Sequence, residues 1–232
     1  MIKFFRRIRQ DLLSKGKSGK YLKYATGEII LVVIGILIAL GINNWNENRK
    51  TEERVKQFLI SLKSDLSNDL REINIVTESQ TEKHEQLTEV IEISRSTTNL
   101  NDSTAYFYPG RNFTFFPTVG SYSAANNAGL IDYIQNEELK RNILNLYEHF
   151  YPRIVYNGKI LDDRTGEVEW EGRNYWDQLD KRSVFSKEAI LDEDFNSQMG
   201  YLNRFIRIYL IRCNDTKSAM KDVIQSIDNY LN

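Results

Sequence analysis

The chain has 232 residues, of which 41% are hydrophobic, and a single cysteine, so an internal disulfide framework is excluded. The net charge of −1 conceals an asymmetry: residues 1–28 carry eight Lys and Arg against two acids, whereas the rest carries 23 basic and 30 acidic residues. Because the basic density is confined to a short terminal segment, no nucleic-acid partner is expected. The length allows one membrane segment and one domain with a hydrophobic core.

The first predicted element is a basic amphipathic segment, residues 1–23. In "MIKFFRRIRQDLL" the apolar residues Ile2, Phe5, Ile8 and Leu12 recur at helical spacing, with arginines on the rest of the wheel. This pattern is typical of a helix lying on an anionic membrane leaflet. The polar stretch "KGKSGK" then predicts a flexible connection to the second element.

That second predicted element is a transmembrane helix, residues 24–45, containing "GEIILVVIGILIALGINNW". From Tyr24 to Trp45 a helix is about 33 Å long, which spans a hydrocarbon core of about 30 Å and places an aromatic ring at each interface. Glu28 falls one turn inside the basic end, where a carboxylate can still reach water. A cleaved signal peptide and a buried helix of a soluble core are the competing interpretations.

The charge asymmetry predicts the orientation of a retained anchor. Since Lys and Arg favour the cytoplasmic side, we expect a cytoplasmic N-terminus and a domain, residues 46–232, on the outer side of the membrane. Gly35 and Ala39 form a small-x-x-x-small pair, which predicts self-association of the anchor as a homo-oligomer.

The remainder predicts a mainly all-α fold, a helical bundle with long helices. One helix is expected from Asn46 to about Ser94, with an apolar stripe in which Gln80 and His84 are polar. The stripe could pack as a coiled coil with its own copy as well as within its own domain, against the other helices. Further helices are predicted for "SYSAANNAG", after Asn136 until Pro152 kinks or ends the run, and after "LDED". Residues 214–216 are expected to interrupt the last one, and "TGEVEWEGRNYWDQL" stays open between helix and loop.

An aromatic segment, "AYFYPGRNFTFF", is the one persuasive strand signal, with Pro109 and Gly110 marking the turn of a short hairpin. Two interpretations stay open: the aromatics close the open end of the bundle, or they form an exposed surface that binds a partner. The residues concerned are Tyr106, Phe107, Tyr108, Phe113, Phe115 and Phe116.

No catalytic, cofactor-binding or metal-binding motif is present, so neither an enzyme nor a cofactor is expected. His84 lacks a second metal ligand three or four residues away, and a polar role in its stripe is favoured. Cys213 lies on an apolar stripe and is expected to be a buried thiol. The acids of residues 162–171 are interpreted as a solvated face.

The stretches "MIKFFRRIRQDLL", "GKYLKYA", "GEIILVVIGILIALGINNWNE" and "NNAGLIDYIQNEELKRNILNLY" together resemble a family of uncharacterised Bacteroidota membrane proteins catalogued as a domain of unknown function. The resemblance implies a single-pass inner-membrane protein with a periplasmic helical domain, and it brings no activity or catalytic residues. It also implies that Asp102-Ser103-Thr104 fits the periplasmic O-glycosylation pattern of that group, with Ser103 as the acceptor.

Two function classes remain, with an uncharacterised periplasmic enzyme as a third. The favoured one is a membrane-anchored scaffold or accessory subunit whose outer domain binds another envelope protein. The alternative is a ligand-sensing module that signals through its anchor helix. Only about 23 residues precede the anchor, too few for a cytoplasmic output domain, and this favours the scaffold.

Overall fold

A computed structural model describes residues 18–95, 106–107, 112–171, 176–179, 182–185 and 191–232 of the chain. The contacts divide the chain between Arg54 and Val55 into two units. The fold is mainly helical, as the sequence predicts. The first helix, α1, runs from Ser18 to Arg95, so the predicted anchor and the predicted long helix belong to one helix.

The second unit contains the remaining helices: α2 (Gly120–Asn127), a 3₁₀ turn (Leu130–Tyr133), α3 (Glu137–Asn145), α4 (Tyr151–Glu171) and α5 (Glu193–Leu231). The predicted start and stop signals are confirmed. Asn136 caps α3 by accepting a hydrogen bond from the Leu139 N–H at 2.9 Å, and Gly129 has a left-handed φ of 66° after α2. Asp192 caps α5 in the same way, accepting from the Phe195 N–H at 2.8 Å.

Two predicted helix ends are wrong. Pro152 does not end the helical run, because a π-helical turn, Leu146–Phe150, connects α3 to α4 immediately before it. A wider turn of this kind accommodates the missing proline N–H. The alternative, a kink at Pro152, stays a prediction. The expected interruption at residues 214–216 is absent too: α5 is continuous through them, with Thr216 buried and its hydroxyl donating to the Arg212 carbonyl at 2.7 Å.

A small antiparallel sheet accompanies the helices. Strand β3 (Arg182–Phe185) lies between β1 (Tyr106–Phe107) and β2 (Trp176–Leu179). The predicted hairpin within the aromatic segment is therefore wrong: β1 pairs with a distant strand, and residues 112–119 form no strand. The segment "TGEVEWEGRNYWDQL" is also divided, since α4 includes its first seven residues and β2 begins at Trp176.

The core of the second unit lies between α1, α4 and α5. Tyr151 of α4 contacts Asp69 and the charge of Glu169 acts on Lys83, so α1 and α4 run parallel. Helix α5 is antiparallel to both: Asp228 pairs with Lys63. The core is formed by α1 residues Val55, Leu59, Leu62, Leu66, Ile73 and Leu87, by Ile143, Leu146, Ile154 and Leu161, and by Met199, Leu202, Ile206, Tyr209, Met220 and Ile227.

The stripe of α1 packs within its own domain, as expected: from Val55 to Leu87 it is buried against helices of the same chain. Packing of the stripe against its own copy stays a prediction, to which this burial adds no support.

Candidate functional site

The apolar stretch of α1 is exposed along its whole length. Every Ile, Leu and Val from Ile29 to Ile42 keeps between 46% and 64% of its surface accessible. Within the described residues this is the one helix with a window long and apolar enough to cross a membrane, by length and composition, and none of that window is buried. Because the described stretch is exposed throughout, the interpretation as a buried core helix is wrong.

The predicted interface residues have different surroundings. Trp45 is 66% exposed, and the guanidinium of Arg49 lies 5.9 Å from its ring centroid. Glu28 is partly exposed, whereas the side chain of Tyr24 lies outside the described part. Gly35 and Ala39 are both exposed, and a Cβ added at Gly35 would meet no atom within 4 Å.

In the second unit, an extended segment of residues 112–119, here named the strap, lies along α1. Gln80 Nε2 donates to the Phe113 carbonyl at 2.7 Å, and Asp69 accepts from the Thr118 N–H at 3.0 Å. Eleven helical residues between these anchors rise about 16 Å, which matches five extended residues at about 3.3 Å each. The strap therefore runs fully extended and antiparallel to α1.

One end of the strap is fixed by a carboxylate. Asp69 is only 2% exposed, and besides the Thr118 N–H it accepts hydrogen bonds from the Thr118 hydroxyl at 2.7 Å and from the Tyr151 hydroxyl at 2.7 Å. Tyr151 packs edge-on against Tyr147, with ring centroids 4.9 Å apart, and Tyr147 stacks on Tyr122 at 4.1 Å. Burial and the nearby Asp69 charge raise the pKa of Tyr151, so its hydroxyl keeps its proton and remains a donor.

The middle of the strap is its hydrophobic anchor. Phe115 is 2% exposed, and its N–H donates to the Tyr209 hydroxyl at 2.7 Å. Thr114 lies directly over Gly158 of α4, where an added Cβ would approach the Thr114 Cβ to 3.3 Å. Gly158 therefore permits the close approach of strap and helix.

The other end of the strap lies beside a buried lysine. Asn112 Oδ1 accepts from Gln80 Nε2 at 2.9 Å and lies 3.5 Å from Lys83 Nζ. Asn112 also donates to Asp162, as does the Thr114 hydroxyl at 3.2 Å. Asp162 is thus a partner of the strap, which corrects the interpretation for this one acid, whereas Asp163, Glu167 and Glu171 are exposed as interpreted.

Lys83 is 1% exposed, and desolvation lowers its pKa to about 8 although the charges of Glu169 and Asp162 act in the opposite direction. Burial has the opposite effect on the carboxyl of Glu169, whose pKa it raises. Buried Cys213 has its pKa raised to about 11, also by burial, which fits the predicted inert thiol.

The predicted aromatic residues divide between both interpretations. Phe115 is core, whereas Phe113 and Phe116 are 42% and 75% exposed. Tyr106 and Phe107 lie in β1, without described side chains. Tyr108 and the predicted glycosylation residue Ser103 lie outside the described residues.

His84 makes the predicted polar contact within the bundle. Its Nδ1 lies 2.6 Å from Oδ1 of Asn203, whose amide nitrogen donates to the Thr88 hydroxyl at 2.9 Å. Because the Asn203 amide presents its oxygen to the ring, and an amide oxygen can only accept, Nδ1 of His84 carries the proton in this contact. Across the described residues no group of three or more His, Cys, Asp or Glu is placed to hold a metal ion.

The fold thus defines a class of mainly helical proteins with one exposed apolar helix and a strapped helical domain. Residues 28–204 match a family of unknown function, DUF6090, and the chain belongs to that family. The match begins at Glu28, so the first two stretches that carried the resemblance lie outside it. Neither the curated proteins nor the solved structures gave a match.

Proposed function

We propose that the protein is a membrane-anchored scaffold or accessory subunit that binds another envelope protein through its helical domain. The observation that carries the anchor is the exposure of the apolar side chains from Ile29 to Ile42. At about 25 cal/mol per Å² of apolar surface, leaving such a helix in water is far costlier than placing it in a bilayer. The basic first segment supports a cytoplasmic N-terminus and a periplasmic domain in a bacterial inner membrane, with Bacteroidota as the proposed origin.

The strap supports a binding role for the helical domain. Its main chain is hydrogen-bonded to the domain at both ends and in the middle, so its exposed Phe113 and Phe116 are presented by an ordered segment. Two exposed aromatic side chains on an ordered segment are typical anchors for a protein partner. The carboxylates of Asp69 and Asp162 hold the strap itself, because each accepts hydrogen bonds from strap residues.

A photo-crosslinking experiment in native membranes tests the binding role. Benzoylphenylalanine replaces Phe116 and, as the matched control, Tyr156, which is 66% exposed on α4. We expect one discrete protein adduct from position 116 that is absent from position 156 and is lost when Phe113 is also changed to Asp. Equal adducts at both positions would contradict a specific surface on the strap, and a stoichiometric small molecule without a protein partner would favour the sensing alternative.

A further inference from the structure

The main chain of the strap is bound to the helical domain through side chains. Between described residues, the Phe113 carbonyl accepts from Gln80, the Phe115 N–H donates to Tyr209, the Thr118 N–H donates to Asp69, and the Thr118 carbonyl accepts from Tyr147 at 3.5 Å. No backbone ladder joins residues 112–118 to the described part of the domain. Phe115 is its one fully buried large apolar side chain. A segment with few buried apolar contacts and no ladder opens at a lower free-energy cost than the helices beneath it.

Lys83 lies beneath the end of the strap that begins at Asn112. It belongs to α1, the strap contributes Asn112 beside its ammonium group, and the charges that act on it are Glu169 and Asp162 of α4. The Oε1 atom of the neighbouring Gln80 is also buried and accepts no hydrogen bond from the described residues. Closing the strap therefore confines a cationic group and an unsatisfied oxygen away from water, and both would be rehydrated on opening.

We infer that the strap is a proton-linked latch: it opens as a unit while the helices stay folded, and protonation of Lys83 favours the open state. In the closed state Phe113 and Phe116 are exposed and Phe115 is buried, so opening changes which aromatic side chains the domain presents.

The direction of the linkage is set by burial. In the closed state the pKa of Lys83 is about 8, and in the open state water returns it toward its ordinary value of 10.5. Below pH 8 both states are protonated and the closed state bears the full cost of the buried charge. Above pH 8 the closed state loses this proton, so closure is favoured progressively up to about pH 10.5. For full rehydration, the opening constant falls about tenfold between pH 7 and pH 9.

Amide hydrogen exchange on the full chain in lipid nanodiscs measures this opening. The reporter is the Phe115 N–H, which is bonded to Tyr209, and the reference is the Ile143 N–H within α3. After correction for intrinsic exchange rates, we expect weaker protection at Phe115 than at Ile143, and a protection factor at Phe115 that rises about tenfold from pH 7 to pH 9.

Three variants assign the effect to Lys83. Lys83→Met should reduce the tenfold change at Phe115 to less than twofold. If that variant does not fold, Lys83→Arg makes the same prediction, because a guanidinium does not titrate in this range. Asp69→Asn loosens the far end of the strap and serves as the control: it should lower protection at both pH values while the ratio between them persists.

Two results overturn the latch. Equal protection at Phe115 and Ile143 would mean that the strap opens only with the whole domain. If the protection factor at Phe115 does not change with pH in the wild type, or if its change with pH persists in both Lys83 variants, then Lys83 is not the linked group.

Discussion

The buried hydrogen bond between Tyr151 and Asp69 is expected to be the strongest polar contact of the strap network. Tyr151 is 2% exposed and its hydroxyl lies 2.7 Å from Asp69 Oδ2. Tyr151→Phe removes only this hydroxyl and leaves the ring contacts in place. Since a hydrogen bond to a charged group contributes about 1.5–3 kcal/mol, we expect a loss of about 2 kcal/mol in the free energy of unfolding.

Asp69→Ala is expected to cost more, about 3 kcal/mol, because it removes the same bond and leaves the Tyr151 hydroxyl buried without an acceptor. Thr118 is exposed, so water can replace its two bonds to Asp69. In the double variant no hydroxyl remains to be satisfied, so its loss should fall back to about 2 kcal/mol. The coupling energy between the two positions is then about 3 kcal/mol.

Urea unfolding of the full chain in detergent micelles, followed by circular dichroism, measures the four free energies of the cycle. A double variant that loses the sum of the two single losses, about 5 kcal/mol, would refute the reasoning, because independent sites add. A loss below about 0.5 kcal/mol for Tyr151→Phe would show that the bond contributes nothing net.

Other parts of the chain allow three more predictions. Relative to Lys83→Met, the wild type should gain about 1 kcal/mol of unfolding free energy from pH 7 to pH 9, because the lowered pKa of Lys83 makes the unfolded state bind more protons in this range. Parallel urea titrations at the two pH values measure this gain, and an equal change of unfolding free energy with pH in both proteins would contradict it. Gly158→Ala should be less stable than its control Gly166→Ala by about 1 kcal/mol or more in thermal unfolding, since a Cβ at 158 meets Thr114 at 3.3 Å and one at 166 meets nothing within 4 Å; equal stability would remove the argument for close packing. If anchors self-associate through Gly35, Gly35→Ile should lower the yield of crosslinked dimer in native membranes without unfolding the helical domain, and an unchanged yield would exclude that contact.

The helices were predictable because their signals are local. Apolar spacing, the cap at Asn136 and the left-handed Gly129 each act within a few residues, and all are confirmed. The partner of β1 was not predictable in this way, because it is a strand more than seventy residues further along the chain. The π-helical turn before Pro152 likewise depends on the packing of the whole helical segment rather than on its local sequence.

The strap residues were missed although the sequence carried a signal for them. From Leu62 and Leu66 in steps of three and four, the buried positions of α1 continue through Asp69, Gln80 and Lys83. Polar residues at core positions indicate a buried network, since such groups need partners. Of the polar residues, only Gln80 and His84 were assigned to this stripe from the sequence. The segment that supplies the partners of the network was missed because nothing local identifies residues 112–119 in that role.

The retained anchor is the central claim, and mass spectrometry of the protein extracted from native membranes tests it most directly. After washing of the membranes with alkaline carbonate, we expect an integral protein that still contains the peptides of residues 1–28. A chain beginning near Ile42, or a protein released by the carbonate wash, would contradict the claim, because the apolar stretch would then have been removed or would be covered by something other than the bilayer.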